Sequence, residues 1–307
     1  MKKIISVIVF SFISLMLLFS CVSLPIKEKC SVEYSEIDKL IKINEPTKAD
    51  LLKFNSLVLG EAVTLKKGNL EIEGCVTENK LFYSKIIKPN IVKYLDTLLK
   101  MPKAYAINEI TLLVHQLYSV YFGKDFYRWG GDINDLDDPQ GKKFRGEYRY
   151  GLDCSGFTTS SYEIAVDLGI INNKDSAAQF SSKGFKYFCE ITGLQDSGGI
   201  DNTSNNFRVD TKELANLGNI VFTIPEGGQP TEEEIKLLQP GDIVGRSGHF
   251  GIIVFINNKP YYLESGGWVV PAHGGVPYCA KEALKIFAQN GSLFIRRVLP
   301  TINNYNN

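Results

Sequence analysis

Surplus charge is missing from this chain. Its 34 Lys and Arg residues are matched by 34 Asp and Glu, for a formal net charge of +0. It therefore lacks the basic excess with which nucleic-acid binders hold phosphates, and no nucleic-acid partner is expected. Internal repeats and low-complexity tracts are also absent. None of the six cysteines stands in a Cys-x-x-Cys spacing, which argues against the common structural zinc site. No metal and no cofactor is expected. No apolar run reaches the roughly 20 residues that span a bilayer as a helix.

What is present begins with a basic start, Met1-Lys2-Lys3, followed by Ile4 to Phe19, apolar apart from three serines. This is the layout of an export signal over residues 1–20. The run ends in Leu18-Phe19-Ser20-Cys21, which resembles the bacterial lipoprotein cleavage box. That resemblance implies lipidation at Cys21 and a chain anchored to a membrane rather than spanning it. The expected location is the cell envelope, facing the periplasm or exterior. Outside the cytoplasm thiols can pair. Cys30, Cys75, Cys189 and Cys279 allow three connectivities, and the sequence does not choose among them.

With 307 residues and 44% apolar composition, the chain can bury one large or two modest cores. Residues 21–46 read as a tether. Residues 47–103 read as a small N-terminal module of unknown role, with short strands over 57–65 and 70–76. A helix is expected over 107–122, where Ile107, Ile110, Leu113, Val114, Leu117, Val120 and Tyr121 form one apolar stripe. It opens the main domain, 104–300, and carries His115, expected to be a packing residue. Two insertions are expected, 132–149 and 193–227, the second with a short helix near 211–217; residues 301–307 form a tail. The acidic run from Asp132 to Asp138 lacks the glycine and glutamate of an EF-hand loop and reads as solvated.

The organising stretch is Gly151-Leu152-Asp153-Cys154-Ser155-Gly156-Phe157. Phe157, Ile164, Ala165 and Leu168 follow at helical spacing, with Gly169 as a stop. Cys154 is thus expected in the first turn of a helix. There, free N–H groups and the helix dipole favour a thiolate, the nucleophilic form.

Downstream, residues 241–244 and 249–256 read as strands. Asn257-Asn258 makes a tight turn, and a third strand returns over 261–264. With a two-residue turn, Glu264 faces Gly251 and projects on the same sheet face as His249. A Cys–His–acid arrangement follows, with His249 as base and Glu264 as the group that fixes its tautomer. His273, also beyond the hairpin, is the rival for that role.

Three ordered blocks carry a family resemblance. They are Tyr127-Arg128-Trp129-Gly130-Gly131, then Asp153-Cys154-Ser155-Gly156-Phe157, then Pro240-Gly241-Asp242 with Gly248-His249-Phe250-Gly251-Ile252. Ser176-Ala177-Ala178-Gln179 adds a shorter match. Together they resemble the NlpC-type cell-wall cysteine peptidases over residues 105–300. The resemblance implies an α+β, papain-like fold with helices packed on an antiparallel sheet. It implies hydrolysis of amide bonds in peptidoglycan stem peptides, at the γ-D-glutamyl-diamino acid bond. Tyr127 would help hold the oxyanion beside Cys154. Asp153 and Ser155 would receive the substrate's free amino end, with Trp129 nearby in the binding region. Glutamate at 264 is nearer the related CHAP-type amidases, so an N-acetylmuramoyl-L-alanine amidase is the alternative. A third reading is a wall-binding lipoprotein without catalysis.

Overall fold

The structure, a computed structural model, describes residues 79, 82–122, 126–127, 130–133, 151–196, 207–246, 248–269 and 276–302. Outside these lie the export signal, Cys21, the tether, both expected N-terminal strands, Cys30, Cys75, Trp129, most of the 132–149 insertion and His273. The architecture is α+β, with helices packed on an antiparallel sheet.

The chain enters through a wide turn, Tyr83–Ile87, that runs into α1 (Lys88–Val92), followed by α2 (Leu95–Lys100) and α3 (Lys103–Phe122). Phe82 packs edge-on against Tyr118 and Tyr121 of α3, with ring centroids 4.9 and 5.1 Å apart. Phe82, Ile86, Ile87, Ile91 and Leu98 belong to the same core as α3. The boundary expected at residue 103 is therefore displaced. Because these side chains pack in the core of the main domain, that folded unit begins at or before Asn79, whose amide bonds Gly151. Along α3, Ile107, Ile110, Val114 and Leu117 are buried as the stripe required, and His115 packs edge-on against Phe126 and Phe157.

α4 (Cys154–Asp167) starts and stops where expected, with Leu168 as its cap and Gly169 in the left-handed region. It is not amphipathic. Every residue from Cys154 to Ala165 is buried. The polar ones are accommodated by bonding back along the helix: Thr158 donates to the Cys154 carbonyl, Thr159 to Ser155 and Ser160 to Phe157. Glu163 accepts from the Ser182 N–H and hydroxyl, at the start of α5 (Ser182–Thr192).

After α6 (Thr211–Leu214) comes β1 (Asn219–Ile224), then α7 (Glu232–Leu237), β2 (Ile243–Arg246), β3 (His249–Ile256) and β4 (Lys259–Leu263). The chain closes with β5 (Tyr278–Cys279), α8 (Ala280–Ala288) and β6 (Leu293–Arg297). The six strands pair in the order β1-β6-β2-β3-β4-β5, all antiparallel. The segment expected as an insertion, 193–227, therefore supplies an edge strand of the sheet.

Alternation decides which face each strand residue serves. Ile243, Phe250, Ile252, Val254, Tyr261 and Leu263 join the core with α3 and α4. Val244, Ile253, Tyr262, Leu293 and Ile295 form a second core with Ala283, Leu284 and Phe287 of α8. The sheet is thus covered on both faces. Beyond the start of β2, the Asn108 amide of α3 closes both the N–H and the carbonyl of Phe255. At the far side of α4, the Tyr162 hydroxyl donates to the Gly241 carbonyl at 2.7 Å. These three bonds tie α3 and α4 to the sheet.

Candidate active site

Asp153 sets the start of α4. Its extended backbone ends the preceding segment, and Oδ1 accepts from the Gly156 N–H at 2.7 Å and the Ser155 hydroxyl at 2.9 Å. Gly156 is required by a close approach: a Cβ there would fall 2.2 Å from the Gly131 carbonyl oxygen. The Gly130–Gly131 turn can therefore lie directly on the first turn of α4. Asp153 N–H donates to Gly131 O at 3.0 Å, and Tyr127 forms a parallel bridge with Leu152.

The hairpin supplies the base. The turn at Asn257-Asn258 has both residues at positive φ, 50° and 59°, the geometry that matches the twist of adjoining strands. Ile256 pairs with Lys259 and Ile252 with Leu263, the expected two-residue register. One residue further on, Glu264 lies on the His249 side. His249 Nε2 hydrogen-bonds Glu264 Oε2. The same carboxylate accepts from the Tyr262 hydroxyl at 3.2 Å and the Val269 N–H at 2.7 Å. Glu264 is 3% exposed, so these three partners replace the water it has lost. With Nε2 engaged, Nδ1 is the ring nitrogen left for proton transfer.

Cys154 approaches the start of β3 from the side of the sheet that α4 covers. β4 ends at Leu263, opposite Ile252, and the first residues of β3 extend beyond it. There the Phe250 N–H, adjacent to His249, acts on the Cys154 sulfur together with the Ser155 N–H, and both favour its charged form. Burial and the Asp153 carboxylate act in the opposite sense and win: the thiol is pushed up to about 12. The expectation of a resting thiolate is thus corrected. The helix terminus provides its donors, but at 6% exposure desolvation outweighs them.

Aromatic rings frame the site. His249 lies between Phe287, at 5.6 Å and edge-on, and Trp268, at 5.9 Å and tilted 33°. Trp268 also meets Tyr127 at 5.9 Å. The structure therefore brings Tyr127, Cys154, His249 and Glu264 to one place. Ser265 ties the loop after β4 to the nucleophile segment, its hydroxyl donating to the Leu152 carbonyl at 2.6 Å.

Asp153 and Ser155 do not stand ready for a substrate amine. Both are buried and bonded to each other, and Asp153 Oδ2 accepts from Arg208 at 2.7 Å and the Gly130 N–H at 3.0 Å. Arg208 and Trp268 escaped the sequence reading. Trp268 had a visible signal, an aromatic residue four positions beyond Glu264; Arg208 had none, since it follows a long polar stretch. Cys154, Cys189 and Cys279 carry free thiols. Among the described residues no cluster of metal-ligating side chains forms, and no helix is long and apolar enough to cross a membrane. No family model, no curated protein and no solved structure matches the chain.

Proposed function

We propose that the chain is a papain-like thiol hydrolase of NlpC type, cleaving amide bonds in peptidoglycan stem peptides as a lipid-anchored envelope protein. One observation carries the chemistry. The Cys154 sulfur lies against the N–H of Phe250, the residue next to a histidine whose far nitrogen is held by a buried glutamate. The three sequence blocks supply the substrate class.

In this reading substrate binding precedes ionisation. The Cys154 thiol passes its proton to His249 Nδ1 as the sulfur attacks the scissile carbonyl. Glu264 stabilises the resulting imidazolium without taking its proton. The tetrahedral oxyanion is held by the Cys154 backbone N–H, one of the first-turn donors that have no partner within a helix, together with Tyr127. One such donor is worth about 3 kcal/mol in the transition state. Collapse breaks the C–N bond, and the leaving amine takes the proton from His249. Water, deprotonated by His249, then hydrolyses the thioester and restores the thiol.

Incubating purified wall with the chain and analysing fragments by mass tests the proposal. Release of γ-D-glutamyl-ended fragments, lost in Cys154→Ala with the fold intact, is the expected result; release that survives the substitution rejects the mechanism. The acidic partner of His249 keeps one alternative open, an N-acetylmuramoyl-L-alanine amidase. The same digest separates it, because a free L-alanyl amine would appear instead.

A further inference from the structure

One cation beside the site takes no part in the mechanism. Arg246 ends β2 and is the cross-strand partner of His249 at the start of β3. Residues directly opposite in an antiparallel pair project on the same face. Both side chains meet Phe287 of α8. The His249 ring lies edge-on to it at 5.6 Å, and the Arg246 guanidinium stands 5.4 Å from the ring centre. Gly291, in the turn between α8 and β6, makes room for that pose: a Cβ there would fall 2.4 Å from Arg246 Nη1.

Nothing neutralises this guanidinium among the described residues, where it makes no hydrogen bond and no ion pair. The sequence explains why. No Asp or Glu occurs from Ile243 to Leu263 or from Lys285 to Arg297. Those stretches hold β2, β3, β4, the end of α8 and β6. The two acids that flank the first stretch are already engaged. Asp242 takes Arg297 and the Gln239 N–H, and Glu264 takes His249, Tyr262 and the Val269 N–H. An aromatic face attracts a cation without cancelling its charge. Arg208 and Arg297, by contrast, each meet a buried carboxylate.

The proposed reaction says which end of the substrate lies here. The leaving amine collects its proton from His249, so the residue that carries this amine extends from the histidine. Arg246 is the neighbour of His249 on that sheet face. A planar guanidinium takes a carboxylate through two parallel N–H donors.

We infer that Arg246 is an anion subsite for a carboxylate on the leaving side of the scissile amide, so that the chain prefers stem peptides whose diamino acid carries a free carboxyl group. This rests on the hydrolase reading and deepens it. Arg246 sets substrate preference, while the reacting groups remain Cys154 and His249.

The test measures binding apart from turnover. Three forms of L-alanyl-γ-D-glutamyl-L-lysine are titrated calorimetrically into the full chain carrying Cys154→Ala. One is the free acid, one has the lysine carboxyl as a carboxamide, and one has the glutamyl α-carboxyl as a carboxamide. The free acid and the glutamyl carboxamide should bind within about twofold of each other, and about tenfold tighter than the lysine carboxamide. Adding Arg246→Gln should erase that tenfold difference and leave the affinity of the lysine carboxamide within about twofold. A merely structural role would weaken all three forms alike. Should Arg246→Gln lose the native circular dichroism, Arg246→Met, whose unbranched stem still covers Phe287, carries the same comparison. Equal binding of the free acid and the lysine carboxamide overturns the inference. So does a loss confined to the glutamyl carboxamide, which would put the guanidinium on the acyl side. Equal weakening of all three forms in a folded Arg246 variant overturns it as well, as does the absence of binding by any form. Hydrolysis by the unaltered chain is read separately. A free acid that binds through Arg246 and is not cut removes the hydrolase reading and leaves the subsite standing.

Discussion

The Tyr262 ring lies against the bare Cα of Gly251: a Cβ there would fall 2.6 Å from the ring carbons and the hydroxyl oxygen. The glycine in the middle of β3 is what lets the phenol lie flat on the sheet and reach Glu264 Oε2 at 3.2 Å. The carboxylate that holds His249 is thus positioned by a missing side chain on the neighbouring strand.

Gly251→Ala should disturb both stability and chemistry. The added methyl meets a fully buried ring that has nowhere to move, and overpacking of this kind costs about 1–3 kcal/mol. Displacing Tyr262 also removes one of the three donors on Glu264, so wall hydrolysis should fall more than tenfold. Tyr262→Phe keeps the packing and loses only the hydroxyl. It should cost about 1 kcal/mol of stability and less activity than Gly251→Ala. Urea melts and hydrolysis assays on both variants check this. Activity in Gly251→Ala within twofold of the unaltered chain would contradict it.

The comparison of expectation with structure follows range of interaction. The start of α4, the Asn257-Asn258 turn and the Glu264 side of the hairpin are set by neighbours a few residues apart, and they were legible. α8 was not among the expected elements although Ala283, Leu284, Phe287 and Ala288 form an apolar stripe. β1 was hidden differently. Its pairing with β6 joins residues such as Asn219 and Arg297, and no local pattern reports so distant a partner. The same holds for Arg208, whose guanidinium meets Asp153 at a sequence separation of 55. The neutral Cys154 could not be read at all, since desolvation depends on what the whole fold places over the sulfur.

The Asp242–Arg297 pair should prove a structural anchor. Asp242 is fully buried and takes Arg297 Nε and Nη2, both at 2.7 Å, plus the Gln239 N–H. It fixes the turn before β2 to the end of β6. Asp242→Asn leaves the guanidinium half-paired, which costs about 3–5 kcal/mol for a buried pair broken on one side. Burial outweighs Arg297 and raises the Asp242 carboxyl to about 6. Since the folded value lies above the unfolded one, its contribution is fully present below about pH 4 and declines as pH rises through about 6. Denaturant midpoints across pH 4 to 7 should show that decline in the unaltered chain, with it missing from Asp242→Asn.

Trp268 is 65% exposed yet touches the rings of Tyr127 and His249. Little buried surface depends on it, so Trp268→Ala should change stability by no more than about 0.5 kcal/mol. In the proposed reaction the exposed ring, beside both Tyr127 and His249, is placed to meet the substrate. Losing that aromatic contact should raise KM about tenfold, roughly 1.4 kcal/mol, with kcat little changed. Michaelis kinetics on soluble stem peptides test it, and an unaltered KM would remove Trp268 from the binding surface.

The neutral thiol makes the sharpest demand. Burial and Asp153 push Cys154 up to about 12, so in the free protein iodoacetamide should label it more slowly at pH 7 than it labels a model thiol of pKa about 8.5. The rate should climb about tenfold per pH unit from 7 to 10. The folded value exceeds the unfolded one, so the thiol's contribution to stability is intact below about pH 8.5 and is lost as pH rises towards 12. Asp153→Asn removes the nearby negative charge and should speed labelling at pH 8. His249→Ala should leave the labelling profile almost unmoved while abolishing hydrolysis, because the imidazole accepts the proton only as the sulfur attacks. Rapid labelling at pH 6 to 7 that disappears in His249→Ala would instead mean a thiolate–imidazolium pair at rest, and the substrate-triggered transfer would have to be abandoned.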